Sequence, residues 1–180
     1  PYPSILKVYP GSGDRSILSG YDEAGFEVGS GGVSSFFGQP VDIDFDPLSG
    51  DLFVADVFGS SIYSIDPFDP SPEAPSGDRI LRVHNSVGTG NVGLQEPVAL
   101  ALFEDKVTIV DVDGSHDNGA VLVGDLSSNG DRSLLSADGQ GQDFSDPVDL
   151  VAAMDNWYVA DSGLQAIIEI QGGDPGQDPN

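Results

Sequence analysis

A phrase that occurs three times limits what this chain can fold into. A proline opens a short apolar segment, a gap follows, and a second apolar segment closes on aspartate. The copies run from Pro40-Val41-Asp42-Ile43-Asp44-Phe45 to Leu52-Phe53-Val54-Ala55-Asp56, from Pro97-Val98-Ala99-Leu100 to Val107-Thr108-Ile109-Val110-Asp111, and from Pro147-Val148-Asp149-Leu150 to Trp157-Tyr158-Val159-Ala160-Asp161. The prolines stand 57 and then 50 residues apart, in or near the range over which supersecondary units recur in repeat proteins.

A second phrase falls between those copies. Asp14-Arg15-Ser16-Ile17-Leu18-Ser19 returns as Asp131-Arg132-Ser133-Leu134-Leu135-Ser136, and Gly77-Asp78-Arg79-Ile80-Leu81 stands where a middle copy belongs. Each repeat therefore reads as four strands. In the middle copy they are expected at Val98 to Leu102, Val107 to Val110, Ala120 to Val123 and Arg132 to Leu135, separated by Asp, Gly, Ser and Asn clusters that mark turns. No comparable window sustains helical spacing, so the expected fold is all-β.

The expected organisation is one domain of repeats: a partial one at 5–39, full ones at 40–96 and 97–146, a partial one at 147–171, and a polar tail at 172–180. Ile5 to Tyr9 and Arg15 to Ser19 supply two strands ahead of the first full repeat, and the last repeat has three, for roughly thirteen in all. The chain opens at Pro1 rather than Met and closes on the tail Gly172 to Asn180. The expectation is a processed product, a segment of a longer protein, or one unit of a larger assembly.

These phrases resemble the NHL-type β-propeller repeats and the related senescence-marker-like, lactonase-type propellers. Pro147 to Asp155, Trp157 to Asp161, Ile167 to Ile170 and Gly13-Asp14-Arg15-Ser16 supply the pieces of a blade motif, and the likeness covers most of Ile5 to Ile170. The resemblance implies four-stranded antiparallel blades, about three of them, where a closed ring typically needs four to eight. The array is therefore expected to be incomplete or open at its termini.

Two incomplete ends are complementary, so one copy can complete the next by strand addition. Contacts of that head-to-tail kind build a filament when they do not close. The leading functional expectation is accordingly a non-catalytic, secreted structural or adhesive module that assembles with other copies of itself. The alternative is a fragment of a longer closed propeller that binds a carbohydrate, peptide or protein at one rim. A metal-dependent lactonase or lyase comes third. Lyase-type relatives gather several histidines at the channel, and this chain has only His84 and His116, away from those positions. Of the positions that hold metal in lactonase-type relatives, only Asp42, Asp44 and Asp149 carry comparable residues. Gly-x-Ser-x-Gly, P-loop and His-Glu-x-x-His motifs are absent from the sequence.

Charge narrows the partners. Thirty acidic residues against six basic give a net charge of −24, which repels nucleic acid and anionic lipid. A salt-rich extracellular setting screens that charge; the cytoplasm of a halophile is the alternative. The chain contains no cysteine, so no disulfide or thiolate site contributes. No apolar run approaches the roughly eighteen residues of a membrane span.

Three groups of carboxylates could carry chemistry. Asp111, Asp113 and Asp117 alternate within Asp111 to Gly119 like a calcium loop, but His116 and Leu122 stand where an EF-hand needs Gly and Glu. An Asx-rich turn is the plainer reading and a non-EF calcium site the other. Asp42, Asp44 and Asp46 alternate with Val41, Ile43 and Phe45, which puts the carboxylates on one strand face. That face is either solvated or lines a channel and binds a cation, with calcium as the cofactor that either group would take. The strand-end residues Asp56, Asp111 and Asp161 recur, and recurrence favours a shared structural bond to turn amides over one catalytic centre. Arg15, Arg79 and Arg132 are expected to pair with nearby Asp residues.

Apolar faces carrying Ile43, Phe53, Leu100, Ile109, Leu150 and Val159 are expected to be buried against neighbouring sheets. Gly20 to Gly38 and Pro67 to Gly77 read as long surface loops. Phe36-Phe37 in the first of them is either an interface anchor or packs on its own blade.

Overall fold

The structure is a computed structural model that describes residues 3–21, 27–28, 37–68, 78–85, 92–112, 118–127, 130–137, 141–154 and 156–171. Those residues form fourteen strands: β1 (Ser4–Val8), β2 (Arg15–Tyr21), β3 (Glu27–Val28), β4 (Pro40–Phe45), β5 (Leu52–Asp56), β6 (Ser61–Ile65), β7 (Arg79–His84), β8 (Pro97–Phe103), β9 (Lys106–Asp111), β10 (Ala120–Asp125), β11 (Asp131–Ala137), β12 (Pro147–Ala153), β13 (Asn156–Asp161) and β14 (Ala166–Gln171). The four strands expected in the middle repeat are present, each longer by two or three residues. The additional strand is β3, which lies in the segment read from sequence as a loop.

Every strand pairs antiparallel with its chain neighbour inside one of four sheets: β1-β2-β3, β4-β5-β6-β7, β8-β9-β10-β11 and β12-β13-β14. Short turns make this possible. Glu104 and Met154 adopt positive φ (56° and 57°) between the first two strands of the third and fourth sheets, and Gly50 does so (85°) in the second.

The register makes the repeats exact equivalents. A one-residue irregularity follows each strand-opening proline, after which Ile43, Leu100 and Leu150 stand opposite Val54, Ile109 and Val159. Asp42, Ala99 and Asp149 likewise share one place, opposite Ala55, Val110 and Ala160. Ser61, Ala120 and Ala166 begin the third strands, opposite the strand-end aspartates. Ser4 begins an equivalent strand, because Ser4, Ser61 and Ala120 pair with Gly20, His84 and Ala137 on the strand that follows. The first sheet thus carries third and fourth strands plus β3, and the fourth sheet carries the first three.

Three apolar seams hold successive sheets together. Leu18, Phe37, Val54, Tyr63 and Ile65 fill the seam of the first and second sheets. Phe53, Ile62 and Val83 meet Leu100, Val107 and Ile109 between the second and third. Val110 and Val121 meet Leu150, Trp157 and Val159 between the third and fourth. Fully burying one such aliphatic side chain contributes about 1.5–3 kcal/mol.

One expected core residue is not buried. Leu100 is 3% exposed, whereas Ile43, at the equivalent place, is 44% exposed. Leu100 faces the inner strands of the second sheet. Ile43 faces the side on which, among the described residues, the first sheet has no equivalent strands to cover it.

Candidate functional site

The strand-end aspartates bind backbone in the same way in each repeat. Asp56 accepts the N–H groups of Gly38 (2.7 Å), Gln39 (3.0 Å) and Gly59 (3.0 Å). Asp111 accepts those of Gln95 (3.1 Å) and Glu96 (2.7 Å). Asp161 accepts those of Ser145 (2.8 Å), Asp146 (3.1 Å) and Leu164 (2.9 Å). Each carboxylate therefore ties the end of a second strand to the segment that enters the first strand of the same sheet. Burial pushes the Asp161 carboxyl up, but the amides of Ser145, Leu164, Asp146 and Gly163 outweigh it and hold the group below its ordinary value.

Asp42, Asp44 and Asp46, one set in the sequence, separate into two kinds of contact. Asp42 Oδ1 accepts the Ile43 N–H at 2.8 Å, and its Oδ2 accepts the Leu100 N–H of the next sheet at 2.8 Å. Asp44 repeats the arrangement, with Phe45 at 2.8 Å and Leu102 at 3.0 Å. Both carboxylates are half-buried staples between the inner strands β4 and β8, so the face is not a fully solvated one, the first of the two readings its alternation allowed. Asp46 lies past the end of β4 and closes the following turn, accepting Leu48 N–H at 2.9 Å and the Ser49 hydroxyl at 2.6 Å. Burial pushes its carboxyl up, while Ser49 and the amides of Leu48 and Ser49 bring it below the ordinary value.

Of the other calcium candidates, Asp111 is committed to the amides of Gln95 and Glu96, and Asp113 and Asp117 lie outside the described residues. Among the described residues, no three His, Cys, Asp or Glu side chains stand close enough to hold a metal ion.

Two of the arginines also bind neutral groups of the preceding sheet. Arg79 is buried, donating to Ser19 Oγ at 2.8 Å and stacking over the Phe37 ring at 5.2 Å. Arg132 is buried and donates to the main-chain oxygens of Val92 (2.9 Å) and His84 (2.8 Å). Burial lowers its guanidinium below the ordinary value, against the attraction of Asp111 and Asp131. Each arginine thus ties a fourth strand to the preceding sheet. Arg15 holds the equivalent place on β2 and is exposed. Phe37 packs edge-on against Tyr63 with ring centres 5.6 Å apart; Phe36 lies outside the described residues.

A groove of about 390 Å³ opens between the second and third sheets, lined by Asp46, Ser49, Asp51, Arg82, Glu104 and Ser127. Arg82 donates to Ser64 Oγ at 2.8 Å and stands 3.6 Å from Asp51. Sequence reasoning missed the trio of Asp51, Ser64 and Arg82 because its members come from three separate segments with no shared motif.

Each seam shows what a covered face looks like, and the two end sheets show uncovered ones. In the second sheet Ile62 faces the third and is fully buried; Ile167, its equivalent in the fourth, is 67% exposed. Asp149 and Val151 on β12, the equivalents of Asp42 and Asp44, are exposed as well. At the other end Val41, Ile43 and Phe45 are exposed on β4. Successive four-stranded meanders with innermost strands packed one on the next are the blades of a propeller.

The fold is β-propeller-like. The solved structures agree: a chain of a nidogen/laminin complex matches 93% of this chain with a TM-score of 0.60 and 18% identity. A structural-genomics protein of unknown function from Bacteroides thetaiotaomicron matches 93% with a TM-score of 0.62 and 14% identity. This chain spans 51% and 42% of those two chains. No protein-family model matches it, and no curated protein matches it in sequence.

Proposed function

We propose that the protein is a non-catalytic propeller sector whose activity is docking, with its two open blade faces taking further propeller-type sheets. The observation that carries this reading is the pair of end sheets: among the described residues, the first sheet shows no strands in the first two places and the fourth sheet none in the last. Ile43, Phe45 and Ile167 lie exposed where equivalent residues are buried. The carboxylates that sequence singled out as chemical candidates support a non-catalytic role, since Asp42, Asp44, Asp56, Asp111 and Asp161 are each committed to main-chain amides.

Two sources could supply the covering sheets. Other copies would do so head to tail, closing a ring or extending a filament; further blades of a longer chain would occupy the same places. The second source is favoured by the chain spanning about half or less of the solved structures it matches. An extracellular, salt-rich setting belongs to the reading, because it screens a charge of −24 at the contacts.

Sedimentation velocity and electron microscopy of the 180-residue chain, with an apolar fluorescent dye as probe of the open faces, test the proposal. Rings or filaments support docking between copies, and a dye-binding monomer supports docking of other blades. A monomer that binds no dye overturns both.

A further inference from the structure

We infer that the exposed face of the fourth sheet is a docking surface for a blade whose inner strand carries a small uncharged residue where β4 carries Asp42, and that Asp149 is the carboxylate that receives it. The inference rests on the docking reading above and says which kind of sheet fits.

The covered seam between β4 and β8 supplies the pattern. One carboxylate serves two amides: Asp42 takes its own strand's Ile43 N–H and the next strand's Leu100 N–H. This sharing works because the residue before Leu100 is Ala99, which brings no acceptor of its own. At the next seam Ala99 cannot reach across, and Leu150 N–H is taken by its own Asp149 Oδ1 at 2.8 Å. Acidic and small residues therefore alternate as Asp42, Ala99 and Asp149, with each Asp holding its own amide and offering Oδ2 to the following strand.

Asp149 Oδ2 has no hydrogen-bond partner among the described residues, and the surface around it repeats the covered one. Ile167 and Ala160 stand where the second sheet presents Ile62 and Ala55 to Leu100 and Ile109. Val151 replaces Asp44, so this face offers one cross-strand carboxylate rather than two. The strand that fits has a free N–H at the Leu100 place, a branched aliphatic side chain there, and a small neutral residue before it.

A second copy's β4 fits worse. Its Ile43 N–H is already held by Asp42, so docking would bring two carboxylates to one N–H, and like charges so placed repel. The committed occupant is an inner strand of the β8 kind.

A synthetic hairpin of residues 95–112, β8 with β9, provides the probe, and its affinity for the full chain is measured by calorimetry. The native hairpin is expected to bind. Ala99→Asp in the hairpin, or Asp149→Ala in the protein, is expected to weaken binding about tenfold or more, the loss of a hydrogen bond to a charged group. Equal binding of both hairpins, or binding indifferent to Asp149→Ala, overturns the inference while leaving docking intact. Failure of both hairpins to bind overturns the docking reading and the inference with it.

Discussion

Asp42 and Leu100 belong to different sheets, 58 positions apart, yet the Leu100 N–H donates to Asp42 Oδ2 at 2.8 Å. The same carboxylate accepts Ile43 N–H through its other oxygen. Truncating it strips two inner-strand amides of their acceptor at once. Asp42→Ala is expected to lower stability by about 1.5–3 kcal/mol, the range for hydrogen bonds to charged groups. The loss would be read from the urea midpoint at low micromolar concentration. Asp44→Ala, with bonds to Phe45 and Leu102, should behave alike, and an unchanged midpoint in both would remove the staple from the account of stability.

Gly130 and Gly50 separate backbone strain from contact. Both have positive φ, 78° and 85°. A Cβ on Gly50 would meet nothing within 4 Å, whereas one on Gly130 would overlap the carbonyl oxygen of Arg82 in the neighbouring sheet. Gly50→Ala should cost about 1–2 kcal/mol, the left-handed strain of a residue with a Cβ. Gly130→Ala must add displacement of a main-chain group, so its denaturation midpoint should fall further. Equal losses would mean that the turn at Gly130 moves freely away from β7.

Much of this architecture was readable before any coordinates. The repeated phrases located thirteen of the fourteen strands, all but β3, because the proline, the strand-end Asp and the Asp-Arg pair recur at fixed register. What alternation alone could not decide is which strand face meets a neighbour. Ile43 and Leu100 hold the same place, and only the sheet that precedes each determines that one is open and the other buried. The roles of Asp42 and Asp44 were hidden for a related reason: their partners are amides on a strand far along the chain. Arg79 and Arg132 likewise bind groups of the preceding sheet, which no local charge pattern reveals. Glu27 and Val28 escaped notice because a strand of two residues beside a Gly-Ser run carries no alternation to read.

Acid should weaken the fold through identifiable groups. Asp46 and Asp161 both titrate below their ordinary value in the folded chain, despite burial, because hydroxyl and amide donors hold the charged form. A carboxyl depressed on folding contributes stability that is fully present above its unfolded pKa of about 3.9. That contribution is lost as pH falls through the lower folded value. Asp51 opposes them: burial raises its carboxyl in spite of Arg82, so its protonation offsets part of the loss. Urea midpoints should fall between about pH 4 and pH 2, and Asp161→Asn should flatten that slope while lowering the neutral midpoint. A slope unchanged by Asp161→Asn and Asp46→Asn would place the acid sensitivity elsewhere.

Thr108 tests the seam between the third and fourth sheets from the apolar side. It stands fully buried on β9, opposite Ala101 and Val123, and its hydroxyl has no hydrogen-bond partner among the described residues. Leaving a buried polar group unpaired costs about 1–3 kcal/mol. Valine keeps the branched shape and removes the hydroxyl, so Thr108→Val should raise the urea midpoint, by about 1 kcal/mol in stability. Thr108→Ala removes the methyl as well and opens a void against Val110 and Trp157's seam, which should cancel the gain or reverse it. If valine instead destabilises, the hydroxyl is bonded in solution and the seam is more polar than its apolar lining suggests.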